Sequence, residues 1–373
     1  MAVIITVVRW ALCLLYAILK LFPTKKKIVF LSRQSNSVSV DFKLLGENIK
    51  QNHPEYKTVF LCKKIGGGIF GKIAYAFHIL VQMYHLATSK VAIIDSYCIP
   101  VSLLNHKKDL LVIQIWHALG NMKRFGYAML DKPEGSSSKI AYAMRMHKNY
   151  DYLTISSMSF AKDFLEGFSA QENQLVELPL PKTDLLTNKE YAAEKRASLT
   201  EKYPMLSGKK NILYCPTFRK SDSHIKDATE NLLRFINTEK YNLILSDHPV
   251  SSGQEEDADG ILRFPESTFE LLFTADFVIS DYSTVFYEAG LLGLPIFSYA
   301  FDWKEYSQKR EINFDIENEF PGLFTDNAER IISDIENEVF DFERLAEFIN
   351  KNVTVGNGNC TQRLTDFIFE KMK

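Results

Sequence analysis

The strongest constraint on the fold is an alternation of short apolar runs with segments long enough to form helices. The runs are three to five residues long, which is typical of strands that are buried on both faces. Such an alternation predicts an α/β fold of doubly wound, largely parallel sheets. Six runs lie in the first half of the chain and five in the second: 28–31, 58–62, 91–94, 111–115, 152–155, 175–178, 211–214, 242–245, 261–264, 277–279 and 296–299.

The length of the chain indicates two domains. With 373 residues and 46% hydrophobic content, the chain can bury two cores of ordinary size. Two prolines in the segment 178–184 end the first set of strands, and a charged run at 188–202 leads into the second set. We therefore expect a membrane-associated helix at 1–24, one doubly wound domain at 25–185, a second at 186–340, and C-terminal helices at 341–373 that pack back onto the first domain.

The net charge of -2 argues against a general nucleic-acid binder, because neutralising phosphates requires a marked excess of Lys and Arg. The sequence assigns no oligomeric state. It contains no Asp-x-Asp pair directly after a strand that would clearly hold a metal ion, so it predicts no metal ligands and leaves a divalent metal requirement open.

The N-terminal segment 2–22 is almost wholly apolar, but Arg9 and Lys20 leave only ten uncharged residues between them. This is well short of the ~20 residues that span a bilayer. We expect a helix that lies in the inner leaflet of the cytoplasmic membrane, with the three lysines at 25–27 attracted to anionic lipid. The alternative is a hydrophobic helix docked on its own domain.

A second apolar stripe lies between the second and third predicted strands. Its residues follow helical spacing, and such a stripe is more often core than a membrane-facing surface, so we expect core packing. The stripe consists of Ile69, Ile73, Phe77, Leu80, Val81 and Tyr84.

The predicted strand 111–115 delivers His117 at its carboxyl end, and Lys123 and Arg124 add positive charge a few residues later. In open α/β sheets ligands bind at that edge, and histidine is well suited to take a proton near neutral pH. His117 is therefore a candidate general base. A histidine satisfied by a carbonyl group between domains is the alternative.

The stretch 276–295 reads as a strand, a tight polar turn and a helix that Gly293 ends. Asp281 or Ser283 can cap this helix. The hydroxyl groups of Ser283 and Thr284, together with backbone N–H groups, are suited to a phosphate, and Glu288 can accept hydrogen bonds from sugar hydroxyls. The alternative is an ordinary capped strand–helix unit.

Polar residues follow three strands of the second half. Pro216, Thr217 and Arg219 follow one strand, His248 follows the next, and the turn at 281–284 follows another. If these strands are parallel, Arg219, His248, Ser283 and Thr284 converge on one edge of one sheet. Such an edge would face a diphosphate.

These motifs, taken in order, resemble the CDP-glycerol glycerophosphotransferase family of teichoic-acid synthesis, over roughly residues 25–330. They are Trp116-His117, Pro216-Thr217-Phe218-Arg219, His248-Pro249 and Ser280-Asp281-Tyr282-Ser283-Thr284. The resemblance implies two Rossmann-like domains in a GT-B-like fold at the inner face of the bacterial membrane, the first for the acceptor and the second for a CDP-polyol donor. It also implies transfer of glycerol phosphate or ribitol phosphate to a hydroxyl of a lipid-linked saccharide acceptor, with release of CMP.

The resemblance assigns roles to individual residues. It implies that His117 is the catalytic base, and that His248 acts in catalysis and in donor binding. Acceptor binding is expected at Trp116, Asn121, Lys123 and Arg124, and donor binding at Pro216, Thr217, Arg219, His248, Asp281, Ser283, Thr284 and Glu288.

The chain departs from the family pattern at two places. Many relatives read Trp-His-Gly followed by Thr-Pro where this chain has 118–121, and Asp247 precedes His248 where relatives often carry a basic residue. The first departure bears on the acceptor and the second on the donor. The chain resembles the short single-transfer or primase-like members more than the long polymerases.

Two other functions are compatible with parts of the pattern. Glu288-Ala289 with Gly293-Leu294-Pro295 also resembles the donor-sugar motif of nucleotide-sugar glycosyltransferases with the same two-domain architecture. Such an enzyme would release a nucleoside diphosphate, whereas a polyol-phosphate transferase would release CMP. The released nucleotide therefore distinguishes the two functions. A non-catalytic membrane scaffold would leave His117 and His248 without a shared purpose.

Overall fold

The computed structural model describes residues 2–217, 223–246, 260–356 and 358–372. Twelve strands are defined in these residues. They are β1 (Lys27–Ser32), β2 (Lys57–Cys62), β3 (Val91–Ile94), β4 (Leu111–Gln114), β5 (Tyr152–Ile155), β6 (Leu175–Glu177), β7 (Lys210–Cys215), β8 (Tyr241–Leu245), β9 (Ile261–Leu262), β10 (Phe277–Ser280), β11 (Ile296–Tyr299) and β12 (Phe324–Thr325).

Sixteen α-helices are defined in the same described residues. They are α1 (Ala2–Leu19), α2 (Val40–Asn52), α3 (Gly68–Thr88), α4 (Ile99–Leu103), α5 (Ser138–Ala143), α6 (Ala161–Phe168), α7 (Lys182–Leu186), α8 (Lys189–Lys202), α9 (Ser223–Phe235), α10 (Thr268–Leu271), α11 (Val285–Leu291), α12 (Trp303–Lys309), α13 (Ile316–Glu319), α14 (Ala328–Glu336), α15 (Phe342–Asn352) and α16 (Cys360–Lys371).

The strands form two six-stranded sheets whose pairs are all parallel. The first sheet has the order β2-β1-β3-β4-β5-β6 and the second the order β12-β11-β10-β7-β8-β9. The prediction of an α/β fold with two doubly wound parallel sheets is therefore confirmed. All eleven predicted strands occur within a few residues of their expected bounds, and the sequence pattern missed only the two-residue β12.

Buried strands account for the regularity of both sheets. β1, β3, β4, β10 and β11 are buried along their whole length, as parallel strands covered by helices on both faces require. In the second sheet, aromatic side chains such as Tyr214, Phe297 and Tyr299 join Ile and Leu side chains in one continuous core.

The chain divides into two compact units. The first unit comprises residues 1–118, 124–184 and 354–373, and the second comprises 119–123 and 185–353. The second unit thus includes a five-residue segment that directly follows the predicted catalytic motif. The sequence predicted a boundary at residue 185, but it did not predict that residues 119–123 belong to the second unit.

The expected C-terminal helical segment is divided between the two units. Helix α15 belongs to the second unit, where its Phe348 stacks on Tyr287 with ring centroids 5.3 Å apart. Helix α16 belongs to the first unit. Its first backbone N–H groups, those of Cys360 and Thr361, donate to the carboxylate of Asp184 at 2.6 and 2.9 Å.

The apolar stripe of α3 is not core, and our expectation of core packing was wrong. Ile69, Ile73 and Phe77 are 70%, 47% and 66% exposed. Helix α3 contacts α1, which also carries exposed apolar side chains, among them Trp10 and Leu14. The period of the stripe identifies a helix face correctly, but periodicity alone does not say whether protein covers that face.

One of the three lysines at 25–27 does not face solvent. Lys27 is only 5% exposed and its ammonium group donates to the hydroxyl of Thr88, while burial lowers the pKa of Lys27 to about 8. Of the three lysines, Lys25 and Lys26 are the exposed ones, and the expected attraction to anionic lipid stays a prediction. None of the described helices is long and apolar enough to cross a membrane.

Candidate functional site

The first unit presents its candidate site where β1, β3 and β4 end. Strands β1 and β3 are neighbours, and the chain passes from β1 to β2 on one side and from β3 to β4 on the other, which opens a crevice at their carboxyl ends. Arg33 and Gln34 follow β1, Asp95 follows β3, and Trp116 and His117 follow β4. The fold therefore brings these side chains to one edge of the sheet.

Trp116 adopts a left-handed backbone conformation with φ of 64°. A large residue in this region costs roughly 1–3 kcal/mol and persists only where its surroundings enforce it. The side-chain oxygen of the buried Gln114 accepts from the backbone N–H of Trp116 at 2.9 Å, and the Gln114 amide donates to the Ser96 carbonyl at 3.3 Å. Gln114 thus holds the turn that displays His117.

The imidazole of His117 is oriented by the backbone carbonyl of Asp95 and by the side chain of Gln34, whose Nε2 lies 3.3 Å from Nδ1 of the ring. Its Nδ1 lies 3.1 Å from the carbonyl oxygen of Asp95, and Lys182 donates to the His117 carbonyl at 3.4 Å. A proton on Nδ1 satisfies the carbonyl of Asp95 and leaves the lone pair of Nε2 available. This is the tautomer that a general base requires.

Surrounding protein favours the neutral form of this imidazole. Burial, and secondarily the charge of Lys182, lower the pKa of His117 to about 4, although the hydrogen bond to Asp95 opposes the shift. The side chain nevertheless keeps a solvent-exposed face, which moderates the effect of burial. His117 is therefore neutral and able to accept a proton at pH 7.

Asp95 is a buried carboxyl group behind His117 that sequence reasoning missed. It is 4% exposed, and its Oδ1 has no hydrogen-bond partner among the described residues. Burial raises the pKa of Asp95 to about 6, against the opposing hydrogen bonds from the Ser32 and Ser96 side chains. Its position directly after β3 was the signal that could have identified it.

A pocket of about 220 Å³ opens beside His117 in the first unit. Aromatic rings form much of its wall, and the ring centroids of Trp116 and Phe125 are 4.6 Å apart. The polar groups at this pocket include Arg33, Gln34 and His147. Aromatic walls with a few convergent polar groups are typical of small-molecule sites.

Arg124, an expected acceptor-binding residue, lies in the first unit and pairs with Glu166 at 3.6 Å. Both side chains are more than one third exposed, so this is a weak surface pair. Arg124 does not line the pocket that contains Trp116 and His117.

The second unit presents its candidate site where β7 and β10 end. These neighbouring strands mark the point where the chain order of that sheet reverses. The buried carboxylate of Asp281 accepts from the backbone N–H of Thr217 at 3.0 and 3.1 Å, from the Thr217 hydroxyl, and from the N–H of Tyr282 at 2.6 Å. Asp281 thus ties the two strand ends together and does not cap α11.

Lys123 lies with this second set of residues. Its ammonium group donates to the Thr217 hydroxyl at 3.2 Å and lies 5.2 Å from the ring centroid of Tyr306. The backbone of Lys123 also forms an antiparallel bridge with Ile312. Lys123, which we expected among acceptor-binding residues, therefore contacts Thr217, which we expected among donor-binding residues.

Asn121 precedes Lys123 in the same unit. It is 6% exposed, and its Nδ2 has no partner among the described residues. Neighbouring Gly120 packs so closely on Tyr287 that an added Cβ would lie 2.3 Å from Cε2 of that ring. The 119–123 segment is therefore tightly fitted into the second unit.

The polar turn before α11 has the predicted form in part. The Ser283 hydroxyl accepts from the backbone N–H of Val285 at 3.3 Å, whereas Thr284, at the N-cap position, makes no side-chain capping bond. Gly293 follows the helix with φ of 71°, as predicted for its end. Glu288 is half-buried one turn into the helix, and Pro216 is buried after β7.

Two expected site residues, Arg219 and His248, lie outside the described residues, as does Asp247. Within the described residues, no group of three or more His, Cys, Asp or Glu side chains is arranged to hold a metal ion.

Comparisons with known proteins match nearly the whole chain. The family model described as CDP-Glycerol:Poly(glycerophosphate) glycerophosphotransferase matches residues 14–370. The chain is 32% identical to the teichoic acid ribitol-phosphate primase of Bacillus spizizenii over 352 residues, which cover 92% of this chain and 90% of that protein. It is 31% identical to the teichoic acid glycerol-phosphate primase of Bacillus subtilis over 299 residues, 78% of this chain and 76% of that protein.

A solved structure shows the same fold. A variant of the wall teichoic acid polymerase TagF soaked with CDPG superposes with a TM-score of 0.77 at 21% identity, over 96% of this chain and 92% of that chain. The fold is accordingly GT-B-like.

Proposed function

Because the chain belongs to the CDP-glycerol:poly(glycerophosphate) glycerophosphotransferase family of teichoic-acid polyol-phosphate transferases, we propose that it transfers a polyol phosphate from a CDP-polyol to a hydroxyl of a lipid-linked acceptor. The reaction releases CMP. The observation that carries this proposal is the neutral His117, whose Nδ1 is bonded to the Asp95 carbonyl and whose Nε2 is available as a base.

The proposed chemistry is a displacement at phosphorus. Nε2 of His117 takes the proton of the acceptor hydroxyl as its oxygen attacks the β-phosphorus of the donor. The bond from this phosphorus to the bridging oxygen breaks, and CMP leaves with the electron pair. The resulting product is a phosphodiester between the acceptor and the polyol.

The donor phosphates are assigned to the second unit. The turn held by Asp281 presents the hydroxyl groups of Ser283 and Thr284, and Lys123 adds a positive charge beside Thr217, whose own hydroxyl donates to Asp281. Hydroxyl groups and a cation at fixed positions stabilise the charge of a transferring phosphoryl group. Asp281 itself acts through the turn, because its oxygens accept from protein N–H and hydroxyl groups.

Nucleotide release tests the proposal. Purified protein is incubated separately with CDP-glycerol, CDP-ribitol and UDP-sugars, each with a lipid-linked acceptor analogue. Release of CMP from a CDP-polyol supports the proposal, and the faster of the two CDP-polyols identifies the polyol. Release of UDP from a UDP-sugar, with no CMP, would favour a glycosyltransferase instead.

We also propose that the first unit binds the inner face of the cytoplasmic membrane. The supporting observation is the exposed apolar surface of α1 and α3, two helices in contact, which includes Trp10, Leu14, Phe70 and Phe77. Isolated exposed apolar residues are ordinary, but a contiguous set of large ones on adjacent helices is typical of an interaction surface. The exposed Lys25, close to α1, supplies charge for anionic lipid.

Vesicle sedimentation tests this membrane surface. We expect the double variant I69E/F70E on α3 to lose binding to vesicles of phosphatidylglycerol and phosphatidylcholine. The matched control is V339E/F342E in the second unit, where the original side chains are 57% and 56% exposed. Equal binding by both double variants would contradict the proposed surface.

A further inference from the structure

Arg33 lies in the His117 pocket without an ion-pair partner among the described residues. Its backbone N–H donates to the Ser96 hydroxyl at 3.0 Å, and its guanidinium carbon lies 5.1 Å from the ring centroid of Tyr97. These contacts place the side chain by stacking and leave its N–H fork available. A guanidinium group that is half-buried and unpaired is suited to bind a carboxylate or phosphate.

The titratable neighbours of Arg33 do not neutralise it. His117 and His147 both line the pocket, and burial lowers the pKa of each, to about 4 and about 3. Tyr97 is also neutral, because burial raises its pKa. The carboxyl group of Asp95 does not line the pocket, and burial raises its pKa to about 6, which favours the neutral form. The pocket wall therefore combines one guanidinium group with neutral rings.

The size of the pocket limits what it can hold. Its volume of about 220 Å³ is below the roughly 300–1,000 Å³ of sites for drug-sized ligands, so it accommodates one terminal unit of a longer molecule. Trp116 and Phe125 offer ring faces for the C–H groups of such a unit. His117 offers a base for its hydroxyl.

We propose that Arg33 binds a phosphate group on the terminal unit of the acceptor, next to the hydroxyl that His117 deprotonates. This inference rests on the proposed function and makes it more specific. The acceptor of this enzyme ends in a polyol phosphate, and a neutral sugar terminus binds weakly because it leaves the guanidinium group unpaired. Arg33 is then a specificity-determining residue for the acceptor.

The test compares two acceptor analogues that share one lipid and one saccharide. One analogue ends in a free sugar, and the other carries a single polyol phosphate. We expect wild-type protein to prefer the phosphate-ended analogue. R33Q should raise the KM for the phosphate-ended analogue by about 10- to 100-fold, which corresponds to the loss of a hydrogen bond to a charged group. The KM for the CDP-polyol should stay within about twofold of the wild-type value.

Two further variants complete the test. R330Q removes the same charge from an exposed position on α14 and should behave as wild type. R33K keeps the charge but not the two-pronged geometry, so its KM for the phosphate-ended analogue should fall between those of wild type and R33Q. R33K also provides the test of the Arg33 side chain if R33Q does not fold.

Several results would overturn the assignment. An equal rise in KM for both analogues would make Arg33 a general structural residue, and a rise confined to the CDP-polyol would assign its anion to the donor. If wild-type protein releases no CMP, the proposed function fails. Calorimetric binding of the phosphate-ended analogue still decides the role of Arg33, since unchanged affinity in R33Q contradicts it and weaker affinity supports it.

Discussion

The two units have different strand orders, β2-β1-β3-β4-β5-β6 and β12-β11-β10-β7-β8-β9, but each places its site residues at a switch point of a parallel sheet, and the residues at the two switch points differ in chemistry. In each sheet, polar residues gather where two neighbouring strands lead the chain in opposite directions. At the first edge, a strained Trp116 presents a neutral His117 beside an aromatic pocket. At the second, the buried carboxylate of Asp281 fixes the backbone and hydroxyl group of Thr217.

Under the proposed function, this difference separates two tasks of a phosphoryl transfer. A base must lose and gain a proton, which requires a side chain whose pKa is tuned by its surroundings. An anion site must hold fixed dipoles and charges, which requires a turn that does not rearrange. A switch point in a parallel sheet serves both tasks because the edge residues lie in loops and are free to vary while the buried strands preserve the sheet.

The largest expected effect is a loss of catalysis from a substitution at the first edge alone. His117→Ala should lower kcat/KM by about 10²- to 10⁴-fold, because it removes the general base, while the KM of the CDP-polyol stays within a few fold. Steady-state kinetics with both substrates checks this. Turnover close to wild type would remove His117 from the mechanism and leave the family assignment intact.

A smaller effect is expected at the second edge from Asp281→Asn. The amide nitrogen of the new side chain cannot accept from the N–H groups of Thr217 and Tyr282, so a buried donor loses its partner. We expect a loss of about 1–3 kcal/mol in the free energy of unfolding and a higher KM for the donor. Chemical denaturation and donor kinetics measure the two effects.

The control for Asp281→Asn is Glu329→Gln, which removes a carboxylate from an exposed position on α14. It should change neither the free energy of unfolding nor the KM for the donor. If Asp281→Asn lowers stability but leaves the donor KM unchanged, the turn is structural and the donor phosphates bind elsewhere in the second unit.

The segment 119–123 links the two edges along the chain and gives a third prediction. Gly120→Ala places a methyl group 2.3 Å from Cε2 of Tyr287, a ring that is 1% exposed and stacked on Phe348. Overpacking of this kind costs roughly 1–3 kcal/mol, to be read from the thermal unfolding midpoint. The control Gly67→Ala has no heavy atom within 4 Å of the added Cβ and should lower that midpoint less, by no more than the loss of a favourable N-cap residue of α3.

The sequence predicted the sheets better than it predicted the grouping of site residues. Buried parallel strands are continuous apolar runs, so their positions are visible in the sequence, and polar residues after β4, β7 and β10 could be assigned to sheet edges. β12 was missed because two residues form no recognisable run.

The remaining misses have three different causes. Lys123 follows His117 by six positions, yet it contacts Thr217 because the chain enters the second unit for only five residues. Arg33 was missed because a single arginine after a strand carries no distinctive spacing. The exposed face of α3 was misassigned because an apolar helix face has the same period whether protein or another medium covers it.

The smallest expected effect concerns the pH dependence of kcat/KM. A histidine base with the ordinary pKa of about 6.5 would lose roughly nine tenths of its activity at pH 5.5, because only the deprotonated form accepts a proton. Burial lowers the pKa of His117 to about 4, so most of it remains deprotonated there, even allowing for its exposed face. We therefore expect kcat/KM at pH 5.5 to stay within about twofold of its value at pH 7.5.

The titration of Asp95 must be distinguished from that of His117 in the pH profile. Burial raises the pKa of Asp95 to about 6, and its backbone carbonyl is hydrogen-bonded to His117. Protonation of Asp95 removes a negative charge near the imidazole, which lowers the pKa of His117 further and preserves the base form. An inflection near pH 6 that persists in Asp95→Asn would belong to His117 and contradict the lowered pKa. An inflection that disappears in that variant would belong to Asp95, and the first edge would then contain two coupled titrating groups where the second edge relies on fixed hydrogen bonds.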